Sequence, residues 1–328
     1  MLRIMSVGDQ QPEDLGTAPD QGRLTAAAWI DLLDPSAAER ATVEQATGLR
    51  LRTRADLSEI ENSSRLYADG DTLYLSLPVA LGKPRGEQGT SPLGFVLTPD
   101  RLVTIRFAQM PAFDAYKEHR SRANGACIGS SHTFVELIEQ VIDTMADTLE
   151  LIRDELDGIS GRIFRPDPAA KDGPSRDSIV LRDALQSVGR CGDLVSRVRD
   201  TLLGIGRIVQ YVGPAAAQWI TPEIRQKLKT LRADVASLND YDGHMSSKVQ
   251  LLLDAILGLI TIAQSNIIKL MTVVGVIGVP PTLIASVYGM NFEFMPELKW
   301  HFGYPYAVVL MVASAVLPLM WFKRRGWL

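Results

Sequence analysis

Residues 221–288 read TPEIRQKLKTLRADVASLNDYDGHMSSKVQLLLDAILGLITIAQSNIIKLMTVVGVIGVPPTLIASVY, and the fold turns on that stretch. Thr221 is a strong N-cap, Pro222 at the first helical position gives up no hydrogen bond, and Glu223 places negative charge at the positive end of the helix dipole. No further proline occurs before Pro280, and Gly243 costs only about 1 kcal/mol inside a helix. The spacing predicts one helix from Pro222 to Tyr288, about 67 residues and ~100 Å long at ~1.5 Å per residue. No bilayer needs that length, so its first part reads as a stalk and its last part as a membrane span.

The span is Leu270 to Tyr288, apolar, uncharged and long enough to cross a bilayer core. Tyr304 to Phe322 is a second such run. The intervening Phe292–Gly303 is too short for a domain and reads as a hairpin tip. Lys269 flanks the first run and Lys323, Arg324 and Arg325 follow the second, so both termini are expected on the cytoplasmic side. Thr272, Gly275, Val279, Thr282, Ser286 and Gly289 share one side of the first span, while Val273, Ile277, Ile284 and Val287 lie mainly elsewhere. That small and polar stripe suits either close helix packing or the wall of a pore. Two helices cannot enclose a hole, so a conducting chain must be an oligomer. Pro280-Pro281 frees carbonyls near Val276 and Ile277, which other groups or water must satisfy.

Working outward, the 328 residues carry a net charge of −4, with no basic footprint for nucleic acid. The start lacks a basic region followed by an apolar core, so no signal peptide is expected. Cys127 and Cys191 form no metal-binding or disulfide pattern, and His119, His132, His244 and His301 are not paired in spacing. No phosphate-binding glycine loop or nucleophile motif occurs, so the chain is not read as an enzyme, nor as a holder of an organic cofactor. Trp29–Leu33, Leu73–Leu77, Phe95–Leu97 and Leu102–Phe107 read as strands, Ser36–Ala46 as a helix, and Lys83–Pro92 as an exposed loop. From Ser131 the period turns helical to about Arg165, and again from Ser178 to about Val212, which suggests an antiparallel helix pair. The expected class is an α+β membrane protein. Its divisions are a cytoplasmic mixed α/β domain (1–130), a cytoplasmic helical pair (131–220), the stalk continuing into the first span (221–290), a periplasmic loop (291–303), the second span (304–322) and a basic tail (323–328).

Tyr288-Gly289-Met290-Asn291-Phe292-Glu293-Phe294-Met295-Pro296-Glu297-Leu298, just after the first span, resembles the signature of the CorA family of Mg²⁺ channels. The likeness extends from about Ile267 through Pro280-Pro281-Thr282-Leu283 and Gly303-Tyr304-Pro305 to Phe322-Lys323-Arg324-Arg325-Gly326-Trp327-Leu328. It implies a homopentameric funnel in the bacterial inner membrane, with the first span lining a pore for passive Mg²⁺ influx and cytoplasmic Mg²⁺ acting as regulator. Gly289, Met290 and Asn291 would form the periplasmic entrance, and Thr282, Val279, Gly275, Met271 and Ile268 the path below it. Glu293 and Glu297 would concentrate cations at the mouth. Asp234, Asp240 and Asp242 on the stalk are the candidates for a regulatory metal site. The implied partners are further copies of the chain, the lipid bilayer and divalent cations, with Co²⁺ and Ni²⁺ as additional candidate substrates. A Zn²⁺ transporter of the same superfamily is the competing reading, and a membrane-tethered receptor or enzyme a more distant one. Scarce soft ligands and the Met295-Pro296-Glu297-Leu298 loop speak against zinc.

Overall fold

A computed structural model of the protein describes residues 1–6, 13–14, 21–123, 129–164, 174–290, 295–296 and 300–327. The chain divides into two compact units, one from Met1–Ala169 with Asp183–Leu253, the other from Ala170–Arg182 with Asp254–Leu328.

The first unit is built on a sheet of seven strands among the described residues. These are β1 (Leu2–Ser6), β2 (Glu13–Asp14), β3 (Ala27–Leu33), β4 (Leu66–Asp69), β5 (Thr72–Gly82), β6 (Gln88–Leu97) and β7 (Leu102–Arg106), in the order β2-β1-β3-β7-β6-β5-β4. Only β3 and β7 pair in parallel. Parallel pairing at the centre requires cover on both faces, and every residue of β7 is buried. One face packs Ile30, Leu32, Val96, Val103 and Ile105 against Leu24 of α1 (Gln21–Ala26), Val43 of α2 (Ala37–Thr47) and Leu57 of α3 (Arg54–Leu57). After the short α4 (Asn62–Arg65) and β4 to β7 come α5 (Pro111–Ala123) and α6 (Ser130–Phe164), whose aromatic rings serve the other face. There Trp29 meets Tyr116 edge-on at 5.3 Å and Phe95 meets Phe134 in the same manner at 5.3 Å.

A charged pair is buried in this core. Arg106 donates to both oxygens of Asp31, from Nε at 3.0 Å and Nη2 at 2.8 Å, and its guanidinium lies 4.4 Å from the centre of the Phe113 ring. Thr104 donates to the same Asp31 and accepts from the Trp29 indole. The pair joins β3 to β7 in register, Asp31 opposite Thr104 and Leu33 opposite Arg106.

The expected strands at Trp29–Leu33 and Leu102–Phe107 and the helix at Ser36–Ala46 form nearly as read. The loop expected at Lys83–Pro92 is shorter, because β6 begins at Gln88. Pro78 faces Pro92 where β5 and β6 run on past β4 and β7, so a missing N–H directed away from the partner strand deprives no ladder. Two residues on, the Ala80 N–H donates at 2.9 Å to Thr201 of α7 (Pro174–Ala215). Gly204, one turn along α7, packs so closely that an added Cβ would stand 2.9 Å from that of Leu77.

The helix α8 (Pro222–Tyr288) spans 67 residues, as the sequence predicts, and contributes to both units. Thr221 caps it by accepting from the Ile224 N–H at 3.3 Å. In the first unit Arg199 of α7 donates to Asp242 at 2.7 Å and to Ser246 at 3.0 Å, and Lys248 reaches Asp157 of α6 at 2.6 Å. The second unit holds the remainder of α8 and α9 (Gly303–Arg324).

Candidate ion pathway

The apolar windows of α8 and α9 are long enough to span a bilayer, and only 6% and 11% of each is buried. A core helix of a soluble protein would be covered; these faces require lipid or further copies of the chain. Cover within the unit falls on one side of α8, where Val273 is buried and Ile277, Ile284 and Tyr288 are half-buried. The stripe singled out in the sequence lies on the opposite side at ~100° per residue. Ile268, Met271, Gly275, Val279 and Thr282 are all exposed there.

Local chemistry makes Thr272 and Thr282 acceptors on an otherwise apolar stripe. Thr282 donates its hydroxyl to the carbonyls of Val279 at 2.8 Å and Gly278 at 3.2 Å, and Thr272 donates to Ile268 at 2.8 Å. With the proton turned back onto the helix, the oxygen lone pairs remain for an outside donor such as a water of a hydrated cation. The helix stays continuous through Pro280 and Pro281. It ends at the expected motif: Gly289 donates to the Ala285 carbonyl at 2.9 Å and Met290 to that of Val287 at 3.3 Å. Asn291, Glu293 and Glu297 lie outside the described residues.

The three stalk aspartates are not gathered into one site. Asp234 and Asp240 are exposed, whereas Asp242 is fully buried and bound to Arg199. Burial pushes the Asp242 carboxyl upward, against the Arg199 hydrogen bond and charge that lower it. A carboxylate so placed serves the packing of α7 on α8. Among the described residues no three His, Cys, Asp or Glu are positioned to hold a metal ion.

A family model described as a CorA-like Mg²⁺ transporter protein matches residues 25–324. The chain belongs to the CorA family. It is 36% identical over 310 residues to a magnesium transport protein CorA of Pectobacterium atrosepticum, covering 94% of each chain. A magnesium transport protein CorA of Escherichia coli K12 is 35% identical over 306 residues, with 93% of each covered. The complete CorA magnesium transporter structure from Methanocaldococcus jannaschii superposes with a TM-score of 0.74 at 19% identity, over 100% of this chain and 99% of the other. That last likeness shows the fold: an amino-terminal α/β domain, a long helix and two apolar carboxy-terminal helices.

Sequence reasoning missed one feature of this CorA chain, the structure that closes α9. Gly326 takes φ +70°, Trp327 donates to the Phe322 carbonyl at 3.1 Å and Gly326 to that of Lys323 at 3.3 Å. This is the Schellman cap, completed by stacking of Trp327 on Phe322 at 5.3 Å. Its signal was present in the sequence, a glycine just past an apolar helix followed by a large apolar residue, though it entered only as part of the family likeness.

Proposed function

We propose that the chain is a passive Mg²⁺ channel of the bacterial inner membrane, assembled as a homopentamer with both termini cytoplasmic. The observation that carries this reading is the exposed stripe of α8, with acceptor oxygens at Thr272 and Thr282, opposite the helix's covered side and leading directly to Gly289 and Met290. Magnesium as the ion rests on the magnesium transport proteins that match along nearly the whole chain.

Mg²⁺ sheds its water reluctantly and demands near-ideal octahedral oxygen geometry. A ring of Asn291 amide oxygens accepts hydrogen bonds from the ion's water shell without stripping it. A carboxylate ring would hold the ion harder, and conduction needs release as well as capture. Below the ring, the Thr282 hydroxyls continue the acceptor surface, Val279 and Gly275 line the path, and Met271 and Ile268 form apolar constrictions that gate by dewetting. Glu293 and Glu297 raise the local cation concentration, an effect that salt screens. Co²⁺ and Ni²⁺ pass by the same route, since a filter for hydrated ions selects by size and charge. Cytoplasmic Mg²⁺ closes the path.

Substituting Asn291→Ala removes the amide of the proposed ring. Mg²⁺ uptake by cells that depend on this chain falls to near background while the oligomer survives. Wild-type uptake in that variant would refute the assigned filter.

A further inference from the structure

A second site lies at the cytoplasmic end of the spans, away from the motif. Within the second unit, a crevice of about 380 Å³ opens between α8 and the capped end of α9. The α8 wall is Thr261, Gln264, Ser265, Ile268, Lys269 and Thr272, all at helical spacing on one flank. Trp327 forms the opposite wall. Its position is fixed twice, by the Gly326 cap and by the Phe322 ring. The lining offers an ammonium, an amide and hydroxyls, and no carboxylate. Lys323 and Arg324 stand within one turn of Trp327 in sequence, and Arg325 is turned onto the Trp321 ring at 5.4 Å.

We propose that this crevice binds the phosphate of an anionic phospholipid headgroup from the cytoplasmic leaflet. A phosphate needs what Lys269, Gln264 and Ser265 supply, one cation and two neutral donors without a competing negative charge, while Thr261 and Thr272 donate to their own helix. The bilayer is the source because Lys269 is the last charge before the uncharged run of α8, and the tryptophan lies at the same boundary. Paired lysine and tryptophan mark the depth of the headgroups. Ile268 and Thr272 border both the crevice and the exposed stripe of the pathway, so a headgroup seated here bears on the inner end of the conducting helix. The proposal rests on α8 and α9 spanning the membrane and not on which ion is carried, so neither reading falls with the other.

The test offers the purified full-length protein equal amounts of phosphatidylglycerol and phosphatidylcholine and counts retained lipids by native mass spectrometry. Sodium phosphate serves as a soluble competitor. Wild type is expected to retain phosphatidylglycerol about fivefold over phosphatidylcholine. Lys269→Gln abolishes the preference, Lys269→Arg restores it, and the distant Lys83→Gln leaves it intact. Equal retention of the two lipids by wild type, or a preference that survives Lys269→Gln, overturns the site. Displacement of phosphatidylglycerol by sodium phosphate overturns the bilayer as source and assigns the crevice to a soluble anion.

Discussion

At the scale of single residues, the interior of the first unit depends on a charge pair that no periodicity announces. Arg106 and Asp31 are 2% and 1% exposed, so neither tolerates loss of the other. Asp31→Ala leaves a buried guanidinium unpaired and is expected to cost about 3–5 kcal/mol in a denaturation midpoint. The double variant Asp31→Ala with Arg106→Met should recover most of that loss; no recovery would mean that the pair is not what holds β3 to β7. A second residue-scale expectation concerns pH. Partial burial, with Asp147 and Asp234 nearby, pushes the Asp143 carboxyl above its ordinary range. An acid raised in the folded state binds more protons there than in the unfolded chain, so stability falls as pH rises from the usual carboxylate range through the folded pKa. Asp143→Asn should therefore raise the melting temperature at pH 7 in the presence of a chelator and flatten its dependence on pH. An unchanged pH profile would contradict that assignment.

At the scale of elements, α8 was legible because Thr221, Pro222 and Glu223 mark its start and no proline follows before Pro280, eight residues short of its end. β3 and β7 were legible because short apolar runs ended in turn residues. β1 was not, since Leu2–Ser6 is five residues long and becomes a strand only through pairing with Ala27–Leu32. The start of β6 was hidden by Gly89 and Pro92, residues that a strand tolerates only where its outer edge is free. On α8 the exposed stripe was legible from helical spacing, whereas the direction of the Thr282 proton and the burial of Asp242 depend on packing. Close packing of α7 on β5 gives a paired expectation. Gly204→Ala forces a Cβ to 2.9 Å from that of Leu77 and should destabilise by about 1–3 kcal/mol. Gly158→Ala, on the exposed side of α6 with nothing within 4 Å, should stabilise by about 0.4–1 kcal/mol. Equal effects of the two in thermal melts would show that α7 is not seated as described.

At the scale of the whole molecule, the division of labour follows from composition along the chain. The charged first part folds around its own sheet, and the apolar last part leaves two faces that one copy cannot cover. In the proposed pentamer, assembly belongs to the function, since five first spans, each with its stripe inward, would make the water-filled path that one hairpin lacks. The central claim is that this path carries magnesium. It is tested most directly by the purified wild-type chain in sealed proteoliposomes holding a magnesium-sensitive dye, with Mg²⁺ and Zn²⁺ added outside in separate runs. Saturable Mg²⁺ entry down its gradient, with no energy source, is the predicted result; Zn²⁺ entry without Mg²⁺ entry, or no flux of either ion, would contradict it.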